Sequence, residues 1–157
     1  MALVTGGAAL AAVLVAPGAH AAQGTEAESA SQEAAVRGLL PGWRLTDTGT
    51  DARFRGLAAV SRSTAWVAGS RGTVLRTSDG GRTWRDVSPP GAADLELRDI
   101  EAFDGRRAVA LAIGEGEASR VLRTEDGGAT WTESFRNTDP RAFFNCLTFF
   151  DSRHGLA

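Results

Sequence analysis

Two aspartates, each held in a glycine-rich octet, are the first residues in this 157-residue sequence whose type and spacing could do chemistry. Thr77-Ser78-Asp79-Gly80-Gly81-Arg82-Thr83-Trp84 recurs as Thr124-Glu125-Asp126-Gly127-Gly128-Ala129-Thr130-Trp131, with Trp84 and Trp131 47 positions apart. An aspartate beside paired glycines could hold calcium, but that chemistry needs about six oxygen ligands drawn from one short run. The octets supply too few, and no metal site is expected at them. The same residues suit a tight turn. Gly80-Gly81 and Gly127-Gly128 admit the positive φ angles of a hairpin. Asp79 and Asp126 can fold back onto backbone N–H groups. Thr77, Thr83, Thr124 and Thr130 fit the flanking strand ends, and Trp84 and Trp131 can bury a ring against a neighbouring sheet.

Other chemistry finds little support. Glu96 and Glu101 flank one strand, yet nothing marks them as an acid/base pair. Gly114-Glu115-Gly116-Glu117-Ala118-Ser119 has two of the glycines of a dinucleotide loop but lacks the third and opens no helix. It reads as a solvated hairpin. His154 falls in a turn, where a surface role is expected. Cys146 is the single cysteine, expected as a small buried hydrophobe in a strand. No Ser/His/Asp constellation or nucleophile elbow occurs. No catalytic residue and no cofactor are predicted.

The elements that position these residues follow from the repeat. Leu57, Ile100 and Leu147 are matched by Val60, Phe103 and Phe150 three places on. Ala65-Trp66-Val67, Ala108-Val109-Ala110 and Gly155-Leu156-Ala157 then align at identical spacing. The first unit reads as strands at Phe54–Val60, Thr64–Ala68, Thr73–Thr77 and Thr83–Val87. Four short strands in about 40–50 residues is the size of a propeller blade. The fold class predicted is all-β: a β-propeller of four-stranded antiparallel blades, incomplete. Blade A is expected at about 53–90, blade B at about 96–136 and the start of blade C at 143–157. Trp43-Arg44-Leu45 resembles Trp84-Arg85-Asp86 and reads as an orphan fourth strand. An opening strand without its blade, and a third unit that stops inside its second strand, predict a piece of a longer protein.

In a propeller the first strands begin around the mouth of the central channel, on the face away from the octet turns. Arg55 and Arg98 each stand two residues before the strand-one anchor, and Asn145 takes that place in the third unit. Arg71 belongs to a loop on the same face. These three arginines are the candidate binding residues, a basic rim for an acidic protein segment or an anionic ligand. The competing reading is that they are solvated or paired with neighbours such as Asp99.

Composition narrows the partners. All 17 basic residues are arginine, and the net charge of −2 gives no reason to expect nucleic acid. Residues 1–22 hold no charged side chain. They carry an apolar run from Ala8 to Ala16, a Pro17-Gly18 break and the small-x-small sequence Ala19-His20-Ala21. That is a signal peptide in outline, and the run is too short to span a bilayer in the mature chain. The lack of a positive residue ahead of it points to a natural start further upstream. Residues 23–38 are polar and free of aromatics, a flexible linker. A secreted or periplasmic protein is expected.

The octet resembles the Asp-box, Ser/Thr-x-Asp-x-Gly-x-Thr-Trp, of sialidase-like propellers. Thr77, Asp79, Gly81, Thr83 and Trp84 match, as do Thr124, Asp126, Gly128, Thr130 and Trp131. In that family the box is structural and lies away from the active site. Over residues 39–157 the chain looks closest to the photosystem II stability/assembly factor-like propellers with BNR repeats. In these the pattern Val-Leu-Arg-Thr-x-Asp-Gly-Gly-x-Thr-Trp recurs around the ring. The resemblance implies an exported, non-catalytic scaffold that binds a protein partner, without implying photosynthesis. The enzymatic alternative is a sialidase-like glycoside hydrolase with its catalytic residues further along the protein. It would need two carboxylates, or a Tyr/Glu pair, with substrate-clamping arginines. This chain has no Tyr and lacks the Arg-Ile-Pro element of catalytic sialidases.

Overall fold

A computed structural model describes residues 45–157, and the fold is set out for these. The expected signal peptide, the linker, and Trp43 and Arg44 of the expected orphan strand lie outside the described residues. Leu45 belongs to no strand.

β-Prone runs broken by Gly, Asp and Ser give ten short strands among the described residues. The first sheet is β1 (Phe54–Ala59), β2 (Ala65–Gly69), β3 (Val74–Thr77) and β4 (Arg85–Asp86). The second is β5 (Glu96–Ala102), β6 (Ala108–Ile113), β7 (Arg120–Thr124) and β8 (Thr132–Arg136). Each is antiparallel, with its strands side by side in sequence order. β9 (Thr148–Phe149) and β10 (Gly155–Leu156) pair as the first hairpin of a third unit. The architecture is all-β, a partial propeller. The fourth strand of the first unit is shorter than the expected Thr83–Val87; it begins at Arg85, and the backbone N–H and hydroxyl of Thr83 are taken by Asp79 in the preceding turn.

β6 explains how the units stack. It is an unbroken apolar run, Ala108 to Ile113, as a strand covered on both faces must be. Ala108, Ala110 and Ala112 face the first sheet, where they meet Trp66, Ala68 and Val74. Val109 and Leu111 face the third unit with Leu147, Phe149 and Phe103. Small residues line one face because Trp66, with no exposed surface, already fills that layer. On the opposite face the larger Val109 and Leu111 pack with smaller rings, and Phe103 meets Phe149 edge-on at 5.2 Å.

Candidate functional site

Both octets fold into the same hydrogen-bonded turn. The Thr77 hydroxyl donates to Asp79 Oδ1 at 2.8 Å and accepts the Gly81 N–H at 2.9 Å. The Thr83 N–H and hydroxyl donate to Asp79 Oδ1 and Oδ2 at 2.9 and 2.6 Å. In the second copy Thr124, Asp126, Gly128 and Thr130 repeat these bonds at 2.9, 2.9, 2.9 and 2.6 Å. Gly80 and Gly81 take φ of 75° and 81°, and Gly127 and Gly128 take 82° and 86°, which a side chain would oppose. The Thr83 hydroxyl and N–H, joined by the Thr77 hydroxyl, hold the Asp79 carboxyl down at about 2; Thr130 chiefly does the same for Asp126, at about 2. Carboxylates held this way by local donors fasten the turn, and their lowered values leave them ionised near neutral pH.

Each turn is tied to its surroundings. Gly80 N–H donates to Ser63 O at 2.9 Å and Gly127 N–H to Arg106 O at 2.8 Å, so each octet sits beside the turn between the first two strands of its unit. Trp131 reaches the preceding sheet, its indole N–H donating to Val87 O at 2.8 Å. Trp84 holds the equivalent place in the first unit. Its indole N–H is buried and has no partner among the described residues.

The three candidate binding arginines lie at the opposite end of the sheets. Ser70 N–H bonds Arg53 O at 3.1 Å and Gly72 N–H bonds Leu95 O at 2.7 Å, which gathers the β1 start, the β2–β3 turn and the β5 start at one end. Arg55 and Arg98 share a feature that the sequence did not reveal. Phe54 and Gly56 oppose Gly69 and Ala68, so Arg55 is the extra residue of a β-bulge in β1. Leu97 and Asp99 oppose Ala112 and Leu111, so Arg98 is the extra residue of the same bulge in β5. A bulge twists the strand and re-aims one side chain out of the alternating pattern. Arg55 is exposed and Arg98 half-buried, and neither has a carboxylate partner among the described residues.

Arg71 differs from them. It takes φ of 58°, a left-handed conformation costly for a side-chain-bearing residue, and its guanidinium pairs with Asp51. The Arg71 hydrogen bond is also the main reason that the Asp51 carboxyl lies below its ordinary value. Arg71 is therefore locally neutralised. Asn145 is exposed ahead of β9.

Asp99, named in advance as a possible partner for the arginines, has another role. Its Oδ1 accepts Ile100 N–H at 2.9 Å and its Oδ2 accepts Leu147 N–H at 2.9 Å. Gly56 is its counterpart in β1. A Cβ on Gly56 would stand 2.8 Å from the Ile100 nitrogen and 2.8 Å from the Asp99 carbonyl carbon. Glu101, two residues on, is half-buried, and burial followed by the Asp99 charge raises its carboxyl above the ordinary range. Both Asp99 oxygens accept backbone donors, and no hydrogen bond joins Asp99 to Glu101 among the described residues.

Three smaller expectations resolve. Cys146 is exposed, not buried in a strand: it holds the position of Gly56 and Asp99, which face the following unit, and among the described residues no unit follows. Gly114–Ser119 is only partly a solvated loop. Ser119 is fully buried, donating to Gly114 O at 2.6 Å and accepting Phe144 N–H at 3.2 Å, so it pins the start of the third unit. His154 is exposed beside Asp151 at 2.9 Å. No helix among the described residues is long and apolar enough to cross a membrane.

Comparison with known proteins fits this geometry. Residues 37–138 match the family described as Photosynthesis system II assembly factor YCF48. A solved structure described as YCF48 bound to D1 peptide is similar at 22% identity and TM-score 0.53, over 66% of this chain and 32% of that one. YCF48 from Cyanidioschyzon merolae is similar at 22% identity and TM-score 0.45, over 57% of this chain and 28% of that one. An ancestral GH74 enzyme is similar at 16% identity and TM-score 0.46, over 62% of this chain and 14% of that one. No curated protein matches. The chain thus spans about a third of the length of the first of these structures, 32%. With the family match covering well over half of the sequence, the chain belongs to the Photosynthesis system II assembly factor YCF48 family of propellers.

Proposed function

We propose that this chain is part of an exported, non-catalytic propeller scaffold whose basic rim, built on Arg55 and Arg98, docks an acidic segment of a protein partner. The observation that carries the reading is the pair of equivalent bulges: two arginines re-aimed at the same repeat position and left without carboxylate partners among the described residues. Family membership supports a partner-binding scaffold, and the D1 peptide bound by the solved YCF48 relative supports a peptide as the bound form. Arginine suits the task because its planar fork meets a carboxylate through two parallel N–H bonds. Arg71, held by Asp51, shapes the rim more than it charges it.

The test is anisotropy of a labelled Asp/Glu-rich decapeptide against the full chain, beside its Asn/Gln counterpart. The wild type should prefer the acidic peptide, and Arg55→Glu with Arg98→Glu should lower its affinity by about tenfold or more, since close charge pairs at interfaces couple by about 1.5 kcal/mol upward. Equal binding of both peptides, or an unaffected double variant, would remove the rim from the account.

A further inference from the structure

Asp99 follows Arg98 directly in sequence, yet it leaves that arginine's charge alone. Its two oxygens are divided between backbone donors on different units: Ile100 N–H on its own strand and Leu147 N–H on the third unit, each at 2.9 Å. Ile100 lies just past the bulge that displaces Arg98 and stands opposite Ala110. The Asp99 carboxylate holds the Ile100 N–H and fastens the same stretch of backbone to the next unit. The first unit solves the junction differently. Gly56, at the matching position, has no side chain, and the Asp99–Ile100 backbone lies directly against it. The inner edges of successive units therefore meet through residues 56 and 99, one step beyond each bulged arginine.

We propose that Asp99 is a positioning residue for Arg98: it fixes the bulge that aims the guanidinium and couples that aim to the third unit through Leu147. This rests on the docking reading above. Two consequences follow from the bonding. Asp99 is turned to the two N–H groups and forms no ion pair with Arg98 among the described residues, so the guanidinium keeps its charge for a ligand. The two bulges also differ in kind. Arg98 is held by a side-chain bridge that a substitution can remove, whereas Arg55 is held by close backbone packing at Gly56. Disturbing Asp99 should therefore loosen one arginine and spare the other.

The decisive experiment is side-chain 15N relaxation at the arginine Nε–H groups in the full chain, comparing wild type with Asp99→Asn and Asp99→Ser. The amide keeps the size but turns an NH2 group toward one of the two donors. The serine hydroxyl can serve Ile100 but is too short to bridge to Leu147. In both variants the Arg98 order parameter should fall while that of Arg55 stays unchanged, and Leu147 amide exchange should speed up by about tenfold, the size of a coupling within one hydrogen-bond network. Unchanged Arg98 order with folded protein would overturn the proposal, and so would an equal loss at Arg55. This readout needs no ligand, so it stands apart from the docking reading. Peptide binding then adds a cycle: Asp99→Asn should weaken the acidic decapeptide by about tenfold in the wild-type background and add little to Arg98→Ala. Fully additive losses would contradict the proposal.

Discussion

The indole N–H of Trp131 donates to the carbonyl oxygen of Val87 at 2.8 Å, joining the octet turn of the second sheet to the outer strand region of the first. Gly128 lies in the same junction, where a Cβ would come within 2.5 Å of Val87 Cβ. The turn motif thus does two things at once: it closes its own hairpin and presents its tryptophan and second glycine to the neighbouring sheet.

The two tryptophans should separate in a stability measurement. Trp131→Phe removes a hydrogen bond and leaves the Val87 carbonyl short of a donor, a loss of about 1–2 kcal/mol. Trp84→Phe removes a buried N–H that has no partner among the described residues, and should cost clearly less. Urea unfolding of the two variants decides this. A Trp84→Phe loss as large as that of Trp131→Phe would contradict it.

Gly56→Ala should destabilise although glycine-to-alanine changes in ordinary backbone usually help. The added methyl would meet the Asp99 and Ile100 backbone at 2.8 Å, and backbone cannot swing aside. Overpacking of this kind costs about 1–3 kcal/mol. Thermal unfolding checks it, and a variant as stable as the wild type would mean that the two inner strands do not meet there.

Acid should unfold the domain through its turn aspartates. Asp79 and Asp126 are held at about 2 chiefly by threonine donors, and Asp104 at about 2 by the Arg106 and Arg107 backbone N–H groups and the Arg107 side chain. These values lie below the unfolded aspartate value of about 3.9, so the stability they contribute is complete above it and is lost as pH falls toward 2. Glu101 works the other way. Its raised carboxyl favours the folded state below the ordinary glutamate range, and that contribution disappears as pH rises through the raised value. The lowered groups outnumber it, so the urea midpoint should drop below about pH 4. Asp79→Asn with Asp126→Asn should be less stable at pH 7 and show a shallower acid drop. An acid limb of unchanged steepness would rule out these aspartates as its source.

How much of this was legible in advance divides along the range of the interactions. The octet turn could be read from sequence because its donors, acceptor and glycines lie within eight residues and each type has a local reason to be there. The strand at Ala108-Val109-Ala110 was legible as well, but its extent to Ile113 and its sidedness were not, since small and large residues are assigned to faces only by what Trp66 fills across the junction. The bulges at Arg55 and Arg98 escaped notice because a bulge is a property of pairing with the facing strand. The shared spacing of the arginines ahead of Leu57 and Ile100 was the one available signal. The bond from Leu147 to Asp99 could not be read in advance because it spans 48 residues.

Export is open to direct measurement. The Ala19-His20-Ala21 sequence predicts that the protein recovered from the exported fraction begins just after Ala21. N-terminal sequencing of that material should find this start. A chain retaining residues 1–21 would argue against cleavage there.

The central claim is that the bulged arginines are where a partner sits, and backbone amide titration of the full chain with the acidic decapeptide tests it most directly. The account predicts saturable shifts at Phe54–Leu57 and Leu97–Ile100, with Arg55 and Arg98 Nε–H moving most. Shifts confined to the Thr77–Trp84 and Thr124–Trp131 turns at the opposite end would contradict it.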